Sequence, residues 1–489
     1  MEQNIVSGSL SATRPQWDGS RLVSRIVHLG CGAFHRAHQA LFTHHLLECS
    51  DSDWGICEVN LMPGNDARLI ESLRAQNLLY TVAERGAEIT ELKIIGSMKE
   101  ALHPEFDGCD GILKAMARPE TAIVSLTVTE KGYCTEAASG KLDLNNPLIK
   151  HDLISPQQPK SAIGYIVEAL DMRRLQGIRP FTVLSCDNVR ENGLVARAAV
   201  IGLAKARSTE LATWIAQNVT FPCTMVDRIV PAATEETLQL IADQLGVFDP
   251  CGIACEPFRQ WVIEDNFVNG RPEWDNVGAQ FVEDVVPFEM MKLRMLNGSH
   301  SFLAYLGYLA GYETIADTMA NPEYRQAVRK LMLNEQAPTL SMPEGTDLSG
   351  YADLLLSRFT NPSLRHRTSQ IAMDGSQKLP QRLLDPIRIH LAKGTDHRHL
   401  VLGVAGWMRY VSGLDDKGQK IDIVDPLFAR YQAIHQQYHS AQERVRALLA
   451  IESIFGRDLP ENSSFVNAVM ETYVRLEQRG ARAVLESLQ

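Results

Sequence analysis

The sequence predicts an α/β protein in two parts, an N-terminal domain built on a mostly parallel sheet and a mainly α-helical C-terminal domain. Two observations carry this. Between residues 25 and 186, short apolar runs of strand length alternate with segments whose apolar residues recur at helical spacing, the pattern of βαβ units. After about Pro287, long helical patterns take over (288–308, 323–334, 440–454, 464–479) and strand-like runs nearly vanish. At 489 residues the chain exceeds what one hydrophobic core supports, so this change of texture is read as a boundary near Glu283, giving domains 1–282 and 283–489. No internal repeat or low-complexity tract interrupts either part.

The first well-defined element is Arg25-Ile-Val-His-Leu-Gly30, an apolar run that ends on a glycine, and the helical pattern Phe34 to Glu48 follows at once. Strand, glycine turn and helix in that order open a nucleotide-binding unit of Rossmann type. Further strands are expected over 54–60, 92–96, 122–128 and 181–186, with a helix over 161–176. Gly30-x-Gly32 lets the backbone turn tightly and approach a pyrophosphate, which then sits on the N-terminus of the next helix. The third position of the usual fingerprint is His35, so the turn by itself also fits a ligand-free tight turn or an S-adenosylmethionine site. An acid past the second strand binds the adenosine ribose diol and disfavours a 2′-phosphate. Glu58 on that strand and Asp66 just beyond it are the candidates, and either selects NAD over NADP. Asp66 is equally well placed to cap the helix beginning at Ala67.

Composition narrows the partners. Lys and Arg number 48 against 59 Asp and Glu, a net charge of -11 that repels polyphosphate backbones, so nucleic acid is not expected. Nine cysteines without a disulfide-framework spacing suit a reducing compartment. The N-terminal residues lack the apolar core of a leader and no uncharged apolar run reaches membrane-spanning length, so a cytoplasmic protein without membrane contact is expected.

The densest polar cluster in an otherwise apolar helical stretch is Pro287-Phe-Glu-Met-Met-Lys-Leu-Arg-Met-Leu-Asn-Gly-Ser-His-Ser301. At about 100° per residue, Lys292, His300 and Asn297 fall at roughly 0°, 80° and 140°, one broad face. Alcohol oxidation needs a base near neutral pH and donors to hold the developing alkoxide. A desolvated lysine can be that base and an asparagine amide such a donor. His300 can bond a neighbouring hydroxyl, and Glu289, a turn before Lys292, can pass a proton to water. The opposing reading makes Lys292 and Arg294 ordinary solvated helix charges, with Glu289 in an i,i+3 pair. No C-x-x-C pair and no H-E-x-x-H occurs, so no metal is expected.

With both clusters in view, the chain closely resembles the polyol-specific long-chain dehydrogenase/reductase family, which includes mannitol 2-dehydrogenases and uronate reductases. The likeness runs over nearly the whole length. It rests on Gly30-Cys-Gly-Ala-Phe-His-Arg-Ala-His38, Thr127-Val-Thr-Glu-Lys-Gly-Tyr133, Ser185-Cys-Asp-Asn188, Asp227-Arg-Ile-Val-Pro231, Glu256-Pro-Phe-Arg-Gln-Trp261 and Lys292-Leu-Arg-Met-Leu-Asn-Gly-Ser-His300. The resemblance implies a metal-free, NAD-dependent dehydrogenase acting on a small sugar acid or polyol, and a monomer. It further implies Lys292 as general base, Asn188 and Asn297 on the substrate oxygen, and Glu289 in proton exchange. Asp227 and Glu130 are placed near the site, the latter among the cofactor contacts with Gly30, Gly32, Ala33, Phe34, Arg36 and Asp66. His300 and Lys378 are placed on substrate hydroxyls. Mannitol-acting members commonly carry an arginine where this chain has Gln370, which turns the expectation from mannitol towards a uronate. Independently of the family, Arg365, His366, Arg367, Lys378 and Arg382 make one stretch basic in an acidic protein. A substrate carboxylate needs such a partner, with Lys378 and Arg367 the candidates for substrate binding. A solvated loop whose cations balance nearby acids is the other reading.

Overall fold

A computed structural model describes residues 12–136 and 139–488. The missing leader signal therefore rests partly on residues 1–11, outside the described residues. The chain forms two compact units, Met1–Val286 and Pro287–Gln489, dividing a few residues after the 282/283 boundary read from the sequence.

The centre of the first unit is a five-stranded, all-parallel sheet of β1 (Val23–Leu29), β2 (Trp54–Val59), β3 (Met98–Leu102), β4 (Ile123–Leu126) and β5 (Thr182–Ser185), in the order β3-β2-β1-β4-β5. Both faces are covered, as a parallel sheet requires. Val27, Leu29, Val59, Val124, Leu126 and Val183 pack with helices Pro104–Ala117, Ala162–Gln176 and Asn192–Arg207. Ile26, Ile56, Ile123 and Leu184 pack on the other side with Phe42 and Leu46 of helix Gln39–Cys49 and with Trp261 and Trp274. Each such side chain, fully buried, stabilises the unit by about 1.5–3 kcal/mol. The chain winds outward from β1 to β3 and then crosses to β4, so the winding reverses between β1 and β4. The crevice beyond their carboxyl ends is where open α/β sheets take ligands.

Two expectations are corrected here. The strand expected at 92–96 exists as Thr90–Ile95, but it lies outside the parallel sheet. It runs antiparallel to Tyr80–Arg85 in a four-stranded sheet with Ala12–Thr13 and Ile253–Cys255. The strand beside β2 is instead Met98–Leu102, whose Lys99 and Glu100 dilute its apolar pattern. The helix read over 34–48 breaks at His38 (φ -125°, ψ -93°) into Ala33–Ala37 and Gln39–Cys49. The His38 ring is buried, with Nε2 2.9 Å from the carbonyl oxygen of Gln260. A third small sheet joins Thr224–Asp227, Gln260–Glu264 and Gln280–Val282.

The second unit is helical in its described residues. Phe302, Leu303 and Leu306 pack against helix Arg398–Tyr410, which packs in turn on the terminal helix Ser463–Glu486. The rod expected over 288–308 is present but changes pitch, running as α-helix over Val286–Met291, π-helix over Lys292–Gly298 and α-helix over Ser299–Leu309. Two more π segments, Leu331–Gln336 and Pro380–Leu384, pack against the first. Their approach depends on Gly298, where a Cβ would lie 2.5 Å from Gln336 Nε2 and 2.9 Å from the Arg382 carbonyl oxygen. All nine cysteines are free. No helix among the described residues is long and apolar enough to cross a membrane.

Candidate active site

The two glycines of the first turn have different reasons to be glycine. Gly30 sits at φ +105°, and a Cβ there would lie 2.2 Å from the Thr127 carbonyl oxygen, so the fold itself demands it. Gly32 has an ordinary φ of -81°, and an added Cβ would meet nothing nearer than the Gly30 carbonyl oxygen at 3.9 Å. Packing does not require glycine at 32. The open main chain there has the form that a dinucleotide pyrophosphate meets in turns of this type. Ala33 and Phe34 form the start of the following helix and are partly exposed at the same edge.

Behind the turn lies a buried polar network. His28 and His35 stack at 3.4 Å with 13° between ring planes. His28 Nδ1 lies 2.7 Å from Ser125 Oγ, and its Nε2 lies 2.8 Å from Thr127 Oγ1. His35 Nε2 lies 2.7 Å from Glu58 Oε1, both side chains fully buried. Burial drives the His35 pKa down and that of Glu58 up, so at neutral pH the imidazole is uncharged. This removes Glu58 from the ribose, because a carboxylate enclosed beneath the turn and held by His35 cannot meet a ligand outside it. Asp66 remains, half-buried in the first turn of helix Asn65–Ala75, its Oδ2 accepting from Met62 N at 3.4 Å. Arg36 is also corrected. It is buried, donates to the carbonyls of Cys251 and, at 3.3 Å, Gly32, and lies over the Tyr80 ring, so it braces the turn from inside.

His28, His35 and Glu58 are the one group of three His, Cys, Asp or Glu residues, among the described residues, whose ligand atoms all lie within 4.8 Å of one another. Two imidazoles stacked face to face send their in-plane lone pairs along parallel planes, and both His28 nitrogens already face hydroxyls. The group is a hydrogen-bonded brace with the wrong geometry for converging on an ion.

At the carboxyl ends of β4 and β5, Asp187 ties two loops together. It accepts from Val128 N (3.2 Å), Thr129 N (2.9 Å) and Tyr133 Oη (2.6 Å). This holds Thr129, a β-branched residue, at φ +63°, where it is strained. Glu130 and Asn188, both exposed, are the next residues on the two loops, so Asp187 fixes the spacing of two predicted site residues. The sequence reading missed Asp187, although it stands beside Asn188 in the quoted motif. It also missed Asn192, whose Nδ2 donates to the carbonyls of Ser185 (3.3 Å), Asp187 (3.0 Å) and Thr224 (3.0 Å), joining β5 to the strand that ends in Asp227. Asp227 itself is buried.

In the second unit, Glu289, Lys292 and Asn297 are half-buried and His300 is buried. The π turn alters the expected phase. In a helix bonded i→i+5, the five-residue step from Lys292 to Asn297 closes towards one full turn, so these residues draw closer to one column than the roughly 140° of an α-helix allows. The solvated-helix reading fails at Arg294, which is buried and donates to the Thr339 carbonyl at 2.6 Å. The His300 ring lies 4.4 Å from that of Phe359 and 5.1 Å from that of His366. Burial, then His366, Arg358 and Arg382, hold its pKa well below the usual value, so it stands as neutral imidazole. Lys378 Nζ donates to the carbonyls of Met373 (2.6 Å) and Ile371 (3.3 Å), and burial followed by Arg382 lowers its pKa. Arg367, expected on substrate, is exposed, which suits the alternative of a solvated loop.

Known proteins resemble this chain along its whole length. The profile described as the Mannitol dehydrogenase Rossmann domain matches residues 24–276, and that of the Mannitol dehydrogenase C-terminal domain matches 284–477. D-mannonate oxidoreductase of Escherichia coli (strain K12) is 74% identical over 484 residues, covering 99% of each chain. Among solved structures, the ternary complex of Pseudomonas fluorescens mannitol 2-dehydrogenase with NAD and D-mannitol is 38% identical with a TM-score of 0.79, covering 100% of this chain and 98% of that one. Substrate-free D-sorbitol dehydrogenase is 33% identical with a TM-score of 0.91, covering 99% of both. Two domain profiles matched in order and near-complete relatives on either side make this chain a member of the mannitol dehydrogenase family of oxidoreductases.

Proposed function

We propose that the protein is an NAD-dependent fructuronate reductase, interconverting D-fructuronate and D-mannonate, and that it works in the cytoplasm as a single chain. The observation that carries this reading is the identity to D-mannonate oxidoreductase, 74% across 99% of both chains. The glycine turn supports a dinucleotide, since Gly32 is open where packing does not need it open. Asp66 past β2 supports NAD over NADP. When bound, the nicotinamide exchanges a hydride with the substrate carbon.

The chain's own work is to hold an oxygen and move a proton. In the reductive direction Lys292 gives its proton to the carbonyl oxygen as that oxygen gains charge, and in the oxidative direction it takes the proton back. Asn297, drawn towards the Lys292 column by the π turn, donates its amide to the same oxygen, and Asn188 has the same role. Glu289, one turn before Lys292, exchanges the proton with water. Neutral His300 bonds a hydroxyl, and Lys378 contacts the substrate's hydroxyls, with Asp227 and Glu130 assigned nearby roles. Initial rates with NADH against fructuronate, tagaturonate and fructose test the reading. Fructuronate should lead by at least about tenfold in kcat/KM, and a lead for either rival would replace it.

A further inference from the structure

We infer that Arg382 reads the substrate carboxylate, through the edge of its guanidinium formed by Nε and Nη2. This deepens the functional reading above and rests on it, because a neutral polyol or ketose brings no carboxylate. Arg382 lies in the π segment Pro380–Leu384. Its Nη1 donates to Ser301 Oγ at 3.2 Å and to the Asn297 carbonyl at 3.4 Å, which anchors the side chain beside the oxygen-holding asparagine. The Nε/Nη2 edge makes no hydrogen bond among the described residues, and Nε is buried. No carboxylate pairs with Arg382 among the described residues. The cation is thus partly desolvated and half satisfied, and the vacant half is the fork that matches a carboxylate in two parallel bonds.

Five other cations of the unit, most of them in the same basic stretch, are placed differently. Arg294 also keeps a buried Nε without a partner, but its Nη1 is anchored on the Thr339 carbonyl and not on the turn between Asn297 and Ser301. Arg388 pairs with Asp385 and Asp458. Arg365 and Arg367 are exposed. Lys378 donates two of its three N–H bonds to main-chain carbonyls and feels Asp374 and Asp425. Distance agrees as well. The reacting carbonyl of fructuronate and its carboxylate are separated by three carbons, a span close to one helical turn, about 5.4 Å. Asn297 and Ser301, which Arg382 bridges, are one turn apart on the helix that carries Lys292.

The test compares D-fructuronate with its neutral methyl ester, using the full chain and NADH. The wild-type enzyme should prefer the acid by roughly 10- to 100-fold in kcat/KM, the range of a charge-assisted hydrogen bond. In Arg382→Met that preference should collapse to near unity, while kcat/KM for the ester stays within about threefold. If both substrates fall together, Arg382 only braces Asn297 and the proposal is overturned; an unchanged preference overturns it too. Should the methionine variant not fold, Arg382→Lys keeps the charge without the fork, and the acid preference should drop severalfold with the ester rate preserved. An unchanged preference there would equally overturn it. A wild-type enzyme that ignores fructuronate and reduces a neutral ketose would instead strike the functional reading beneath.

Discussion

In the first unit the atoms proposed to meet the cofactor's pyrophosphate belong to the main chain, at Gly30, Gly32 and the first residues of the next helix. The side chains around them, His28, His35, Glu58 and Arg36, are buried braces. In the second unit the atoms proposed to face the substrate are side chains, Lys292, Asn297, His300 and Lys378, and the backbone changes pitch beneath the first three. On this proposal the pyrophosphate is met by shape and the substrate by chemistry. The two regions should therefore fail differently when altered.

The largest expected effect is at Lys292. Lys292→Ala should lower kcat by 10²–10⁴-fold, the usual worth of a positioned acid–base group, with NADH affinity unchanged in a fluorescence titration. Near-native turnover would take the proton-transfer role away from this amine. Next comes a paired test of the glycine turn. Gly30→Ala forces a Cβ against the Thr127 main chain and should cost NADH binding at least about 100-fold together with a lower melting temperature. Gly32→Ala should leave melting unchanged and weaken NADH by about tenfold. Equal melting losses in both would mean that position 32 is structural after all.

A smaller effect separates binding from chemistry in the helical unit. Lys378→Met should raise KM for fructuronate about tenfold with kcat within about threefold. A fall in kcat alone would move Lys378 from binding to the chemical step. The smallest effect concerns pH. Burial holds His38 at about 3, below the ordinary 6.5. As pH falls through 6.5 the unfolded chain takes up a proton that folded His38 refuses until about pH 3, so stability is lost across that window. His38→Gln should flatten the fall in unfolding free energy between pH 6 and 4 by up to about 1.4 kcal/mol per pH unit. An unchanged slope in urea titrations would show that the folded protein protonates His38 freely.

The first unit's opening was legible because each sign was local, with the apolar run Ile26–Leu29, the glycine after it and the helix start within a dozen residues. Its third strand was not, since Lys99 and Glu100 interrupt Met98–Leu102 while the more apolar Leu92–Ile95 belongs to another sheet. Glu58 misled for a related reason: its partner His35 lies in the next element, and a linear reading cannot see that the carboxylate points inward. In the second unit the candidate residues stand out in the sequence and their phase does not. A period of 3.6 is assumed when side chains are projected onto a face, and nothing in Lys292–Gly298 announces a wider turn. Arg367 and Arg382 looked alike as basic residues in one stretch; exposure and hydrogen bonding tell them apart.

The wider turn at 292–298 also works as a splice. It takes up one residue more than an α-helix needs within a single turn, so the rod on either side keeps its phase and Phe302, Leu303 and Leu306 stay seated against helix Arg398–Tyr410. Excising one residue there would let the rod relax to ordinary α-helix with the packed residues downstream still in place, while Asn297 moved away from the Lys292 column. The interior of the unit thus leaves the register of its chemistry unguarded, and a loss of activity there need bring no loss of fold.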